Sequence, residues 1–210
     1  MAEKIFISGI DTDAGKTYAT GYLARQYKAE GRKVVTVKFI QTGCEITSED
    51  IEKHREIMGE SLPEDAEGLT APIIFSYPAS AQLAARLENR EINLSLIDNS
   101  IEILEKSYDV ILIEGAGGLM VPITDDFFSI DFAKNRKLPV ILVTNGILGS
   151  INHTLLSLEA IKNRNIELKA LAYNTFFDKD KIICEDTREF LKRYLIRHFP
   201  KASWIEIPAL

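Results

Sequence analysis

Short apolar runs alternate with longer amphipathic stretches along the whole chain. The runs at residues 4–8, 33–38, 110–113, 139–144 and 168–174 are rich in Val, Ile, Leu and Ala. Four of them are near-continuous, which suits strands buried on both faces of a parallel sheet. Between them, apolar residues recur at helical spacing. Helices are expected from residue 15 to about 30, 48 to 58, 80 to 87, 95 to 106, about 129 to 136, near 150 to near 163, and about 180 to 198. Gly31 ends the first of these, and Ser48 caps the second. Residues 39–47 and 59–77 read as loops, the latter broken by Pro63, Gly68 and Pro72. Residues 115–118 (GAGG) read as a glycine-rich turn, and the last segment, SWIEIPAL, as a short added strand. The expected fold class is α/β, a doubly wound, mostly parallel sheet with helices on both faces and right-handed crossovers.

The 210 residues suffice for one such domain, expected to span 1–210. Apolar residues make up 46% and charged residues 27%, an ordinary composition for a folded globular chain. The net charge of −6 gives nucleic acid no general electrostatic reason to bind, and an anionic ligand must be held by local positive groups. Residues 5–7 are too short an apolar run for a signal peptide, and no segment reaches membrane-span length. Cys44 and Cys184 lie far apart and read as free thiols. A cytoplasmic protein without membrane or nucleic-acid partners is expected.

Between the first run and the first helix stands GIDTDAGKT, residues 9–17. Gly9 permits a sharp turn. Gly15 lets backbone N–H groups approach an anion, and the helix N-terminus adds partial positive charge. Lys16 supplies a full charge for phosphate, and the Thr17 hydroxyl suits Mg²⁺, a hard cation that prefers oxygen. Five residues, not the usual four, separate the two glycines. Strand, glycine loop, Gly-Lys-Thr and helix together point to a P-loop.

Other chemistry gathers where strands end, the rim at which open α/β sheets bind ligands. Glu114 ends one strand and can reach a metal ion. Lys38 ends another, and a second lysine there can stabilise charge during phosphoryl transfer. Thr42 offers a hydroxyl. Asp50 lies in the first turn of a helix, where an acid is also simply favourable with the dipole. Residues 149–152 (GSIN) open a helix whose free N–H groups suit a carboxylate. His153 alone carries no metal or catalytic signal.

In sequence order, GxDTxxGKT, KFIQTG, IEGAGG, PVILVTNGILGSINH, YN and EIP resemble the dethiobiotin synthetases, over almost the whole chain. The resemblance implies a P-loop fold and closure of a cyclic urea on 7,8-diaminononanoate with CO₂ and ATP, for biotin synthesis. A carbamate and a carbamic-phosphoric anhydride are the implied intermediates. It implies Lys38 and Lys16 as catalytic lysines, and Thr17, Asp50 and Glu114 as ligands of Mg²⁺. Asp50 stands in Ser48-Glu49-Asp50, so Glu49 is the alternative contact. ATP is implied to meet Asp13, Ala14, Gly15 and Tyr18 around the loop, and Asn174, Thr175 and Pro208 around adenine. Thr42, Gly118, Ser150 and Asn152 are the implied substrate contacts, with the active site shared across a homodimer. A P-loop switch of the partition or cell-division type is the competing reading. That group carries a lysine five positions before the Gly-Lys-Thr lysine, where this chain has Asp11. Amidating relatives of the fold carry a glutamine-using domain for which 210 residues leave no room.

Overall fold

A computed structural model describes residues 1–209. In chain order the elements are β1 (Glu3–Gly9), α1 (Lys16–Ala29), β2 (Val34–Lys38), β3 (Gln41–Thr42), α2 (Glu49–Met58), α3 (Pro63–Ala66), β4 (Ile74–Phe75), α4 (Ala81–Leu87), α5 (Ser95–Leu104), β5 (Val110–Gly118), α6 (Ser129–Asn135), β6 (Val140–Asn145), α7 (Ser150–Asn163), β7 (Leu168–Asn174), a 3-10 turn (Thr175–Phe177), α8 (Lys181–His198) and β8 (Ser203–Ile207). Six strands form one parallel sheet in the order β2-β5-β1-β6-β7-β8, while β3 and β4 pair in a small sheet of their own.

Strand alternation divides the core in two. Ile5, Ile7, Val34, Val110, Leu112, Ile141 and Val143 pack under α1 and the end of α2. Phe6, Val35, Val37, Ile111, Ile113 and Leu142 face α4 to α8, where Phe6, Phe39 and Phe132 form an aromatic cluster. Each of these aromatic rings is fully buried and contributes about 1.5–3 kcal/mol of transfer free energy. The same period of two places Thr36, Lys38 and Glu114 on the α1/α2 face, because they continue the series of Val34 and of Val110 and Leu112. Lys38 and Glu114 are register partners on neighbouring strands, so their side chains stand next to each other.

Helix boundaries follow local chemistry. Gly15, at φ 85°, turns the chain into α1. Ser48 accepts from the Ile51 N–H and caps α2, which Gly59 ends in the left-handed region. Asp180 accepts from the Ile182 and Ile183 N–H groups and starts α8.

Three sequence expectations need correction. GAGG is not a turn: β5 runs on to Gly118, which pairs with Gly9 of β1 beyond a bulge in which Gly117 takes φ 64°. The segment read as a loop from 59 to 77 contains α3, a single helical turn begun by Pro63, and β4. The loop at 39–47 contains β3. Two-residue strands and one-turn helices are too short to show a period. Among the described residues, no helix is long and apolar enough to cross a membrane. Cys44 and Cys184 are both unpaired and buried.

Candidate active site

The phosphate loop hangs between β1 and α1, and its two glycines are required by close packing. A Cβ on Gly9 would lie 2.9 Å from the Asp11 carbonyl oxygen. At Gly15 it would lie 2.1 Å from the Asn174 amide nitrogen, in a backbone conformation that L side chains rarely adopt. Ala14 is buried, Asp13 is exposed, and the Tyr18 ring packs against the α1-side core. Asp13 and Ala14 lie in the loop and Tyr18 in the first turn of α1, where backbone N–H groups have no intrahelical acceptor. Lys16 folds back over the loop and donates to the Asp11 and Thr12 carbonyl oxygens at 2.9 and 2.8 Å. Burial pushes its pKa down to about 8, with Lys38 acting in the same direction and Glu114 opposing.

Beside Lys16, four side chains from four elements converge. The Thr17 hydroxyl lies 2.6 Å from Asp50 Oδ1 and 3.1 Å from Glu114 Oε1. Lys38 Nζ lies 2.5 Å from Asp50 Oδ2 and 2.8 Å from Glu114 Oε1. Glu49, the alternative to Asp50, is exposed: it sits one helical step away and turns to solvent. Burial disfavours the charged forms of both Lys38 and Glu114. Their mutual attraction outweighs it, with Asp50 helping the lysine and His54 the glutamate. Lys38 is thereby held above, and Glu114 well below, the usual range.

The oxygens of Thr17, Asp50 and Glu114 also fit a magnesium ion. Adjacent oxygens on an octahedron with metal–oxygen distances of about 2.0–2.1 Å are about 2.9 Å apart. The two separations measured from the Thr17 hydroxyl, 2.6 and 3.1 Å, bracket that value.

At the end of β7, the Asn174 carboxamide is buried against Gly15, and its oxygen accepts from the Phe176 N–H at 3.1 Å. Thr175 donates to the Ile207 carbonyl and accepts from the Ala209 N–H, both at 3.0 Å, so it ties down the segment that carries exposed Pro208.

Three of the four remaining predicted residues line cavities around the loop. Thr42 shares a 390 Å³ cavity with Thr12, Pro78, Ser80, Ala116 and Gly117. Gly118 borders a 350 Å³ cavity with Met120 and Leu156. Ser150 lines a 250 Å³ cavity with Asp13, Asn145 and Leu148. Its hydroxyl is buried without a hydrogen-bond partner, and no side chain caps the N-terminus of α7. His153 borders two of these cavities, with Nδ1 4.0 Å from Asp11 Oδ2. Asn152 is exposed and lines none of the three.

Sequence reasoning missed His54. Its buried ring touches Glu114 Oε2 at 2.6 Å and the Thr36 hydroxyl at 3.0 Å. A signal was present: His54 lies four residues after Asp50 on one helix, a spacing that puts both on one face.

A parallel sheet whose first strand enters a glycine loop, with Lys16 and Thr17 opening the next helix, defines a P-loop nucleotide-binding protein. A family model described as an AAA domain matches residues 3–203. The chain is 46% identical to ATP-dependent dethiobiotin synthetase BioD 2 of Pasteurella multocida over 95% of its own length and 94% of that protein's. It is also 46% identical to ATP-dependent dethiobiotin synthetase BioD of Chlorobaculum tepidum, over 96% and 85%. The chain belongs to the ATP-dependent dethiobiotin synthetase family, whose members are ATP-dependent cyclo-ligases of biotin synthesis. Solved structures share the fold alone. The signal recognition particle receptor FtsY from Elizabethkingia anophelis superposes with a TM-score of 0.56 at 18% identity, covering 97% of this chain, which spans 57% of that receptor. A GTPase in apo form from Pyrococcus abyssi gives 0.53 at 20% identity, covering 92% of this chain and 73% of that one.

Proposed function

We propose that this chain closes a cyclic urea on 7,8-diaminononanoate, with CO₂ and ATP as co-substrates, giving dethiobiotin, ADP and phosphate. The observation that carries the reading is the convergence of Thr17, Lys38, Asp50 and Glu114 beside the phosphate loop. One amine of the substrate adds to CO₂ and loses a proton, forming a carbamate. A carbamate oxygen then attacks the γ-phosphate, and ADP leaves. The second amine attacks the carbon of the resulting anhydride, the ring closes, and phosphate departs. Carbamate is a poor electrophile, and phosphorylation turns its oxygen into a leaving group.

Lys16 holds the β- and γ-phosphates from inside the loop. Lys38, charged throughout the working pH range, stabilises the charge that builds as the carbamate meets the γ-phosphate. Thr17, Asp50 and Glu114 hold the Mg²⁺, which neutralises phosphate charge when bound. Asn174, Thr175 and Pro208 border adenine. Thr42 and Gly118 face the diamine.

The uncapped start of α7, with the unpartnered Ser150 hydroxyl, suits the substrate carboxylate. Leu148, Leu156 and Met120 are exposed around it, an apolar surface that fits a second copy of the chain. Asn152, exposed on α7, then contacts the substrate from the partner side of a homodimer. Free, buried Cys44 and Cys184 suit the cytoplasm.

The test is direct. Purified protein is mixed with the diamine, bicarbonate, Mg²⁺ and ATP, and the cyclic urea is sought by mass spectrometry. ATP consumed without cyclic urea, or no dependence on the diamine, would refute the assignment.

A further inference from the structure

Glu114 has two carboxylate oxygens with different duties. Oε1 faces Thr17 and Lys38, on the side of the nucleotide loop. Oε2 points away and meets His54 Nε2 at 2.6 Å. Both residues are completely buried. The other ring nitrogen, Nδ1, meets the Thr36 hydroxyl at 3.0 Å. That hydroxyl also receives Arg55 Nη1 at 2.8 Å. Arginine can only donate, so the hydroxyl accepts there. Nδ1 is then the one recorded partner able to take the hydroxyl proton. This arrangement makes Nδ1 an acceptor and leaves the ring hydrogen on Nε2, aimed at Glu114. Arg55 is fixed in turn by a two-pronged pair with Asp65, both contacts at 2.8 Å, and Thr70 donates to the same carboxylate at 2.7 Å.

We propose that His54 is a positioning residue for Glu114: its Nε2–H holds one carboxylate oxygen so that the other is presented to the metal and phosphate side. The proposal rests on the reading of Glu114 as a magnesium ligand. On its own, a glutamate's carboxylate torsion is broad and gives no strong reason to prefer one rotation. The hydrogen bond from His54 supplies one, and the chain Asp65–Arg55–Thr36 fixes the ring that makes it. The elements suit the task, since α2 delivers Asp50 and His54 from one face, one helical turn apart, to the two ends of the same site. Partners that orient metal ligands in this way typically contribute tenfold to hundredfold in metal affinity.

The test measures Mn²⁺ binding to the ADP complex by electron paramagnetic resonance, and ADP binding in EDTA by calorimetry. For His54→Phe, which keeps the ring and loses the donor, Mn²⁺ affinity is expected to fall about tenfold to hundredfold, with ADP affinity in EDTA unchanged. His54→Gln, whose amide can donate to Oε2, is expected to recover most of the loss. Should His54→Phe fail to fold, Thr36→Val and Thr36→Ser take its place, the first expected to weaken Mn²⁺ binding and the second to keep it. Glu114→Ala is the reference. Mn²⁺ affinity lost in Glu114→Ala but unchanged in His54→Phe, or in Thr36→Val, overturns the role of His54 alone. Affinity unchanged in Glu114→Ala overturns the ligand reading and the proposal with it. Equal loss in His54→Gln and His54→Phe, or in Thr36→Ser and Thr36→Val, also overturns the proposal, because packing then explains the effect.

Discussion

The Lys16 ammonium is buried, carries two backbone carbonyls as partners, and has its pKa pushed down to about 8 from an ordinary 10.5. A triphosphate in the loop surrounds the same ammonium with negative charge and restores its affinity for the proton. Binding of an ATP analogue is therefore linked to proton uptake. With a free-state pKa of about 8 and a bound-state pKa above about 10.5, the dissociation constant grows as one plus ten to the power (pH minus pKa). Between about pH 7.5 and 9.5 that factor rises from roughly 1.3 to roughly 30, so affinity should fall about 25-fold. Calorimetry in buffers of different ionisation heat should show close to one proton taken up at about pH 9.5 and about a quarter at pH 7.5. Lys16→Arg, whose charge persists throughout, should bind more weakly but lose the pH dependence. The sign for stability is the reverse. The folded chain holds this proton less tightly than the unfolded chain, so Lys16 costs stability below its folded pKa. That cost, about 3 kcal/mol at most, is relieved as pH rises from about 8 to 10.5. Flat affinity without proton uptake between about pH 7.5 and 9.5 would refute the reasoning.

Lys38→Ala removes the cation between Asp50 and Glu114 and should abolish most turnover. Leaving the buried carboxylates uncompensated should cost about 3 kcal/mol in urea unfolding, with part of it recovered by Mg²⁺; unchanged stability with or without the ion would count against the pairing. Gly146→Ala should cost about 1–3 kcal/mol, because the new Cβ would lie 2.3 Å from the Tyr173 hydroxyl and 2.7 Å from Cys184 Sγ; an unchanged urea midpoint would contradict this. Leu148→Asp, at a residue 81% exposed, should leave the circular dichroism spectrum intact and weaken a dimer on the order of tenfold by light scattering; an unaltered dimer would remove Leu148 from the interface.

Where the chain was legible, it was so because one force dominated. The strand at 168–174 was read to the residue and the helix near 150 to 163 closely, since burial on both faces or on one face wrote an unbroken pattern. Ser48 announced its helix through a side-chain cap. At the site, the loop and the strand-end residues Lys38 and Glu114 were visible because a rim position is itself a chemical statement. GAGG was misread because glycine favours turns locally, while pairing with β1 and the tight packing of Gly115 on Phe6 decide the matter in three dimensions. His54 was overlooked for a related reason: its importance lies in what it touches, and in the sequence only its spacing of four from Asp50 on one helix pointed to it.

Gly9 and Gly118 sit opposite each other on adjacent strands. The floor of the phosphate cradle and the wall of the neighbouring cavity are therefore one hydrogen-bonded lattice spacing apart, about 4.8 Å. That separation is set by strand pairing across a bulge in β5, not by the loops on either side. Efforts to make this scaffold accept a longer or bulkier reactant will succeed at the outer ends of the cleft, around Met120 and Leu156, and fail at its centre.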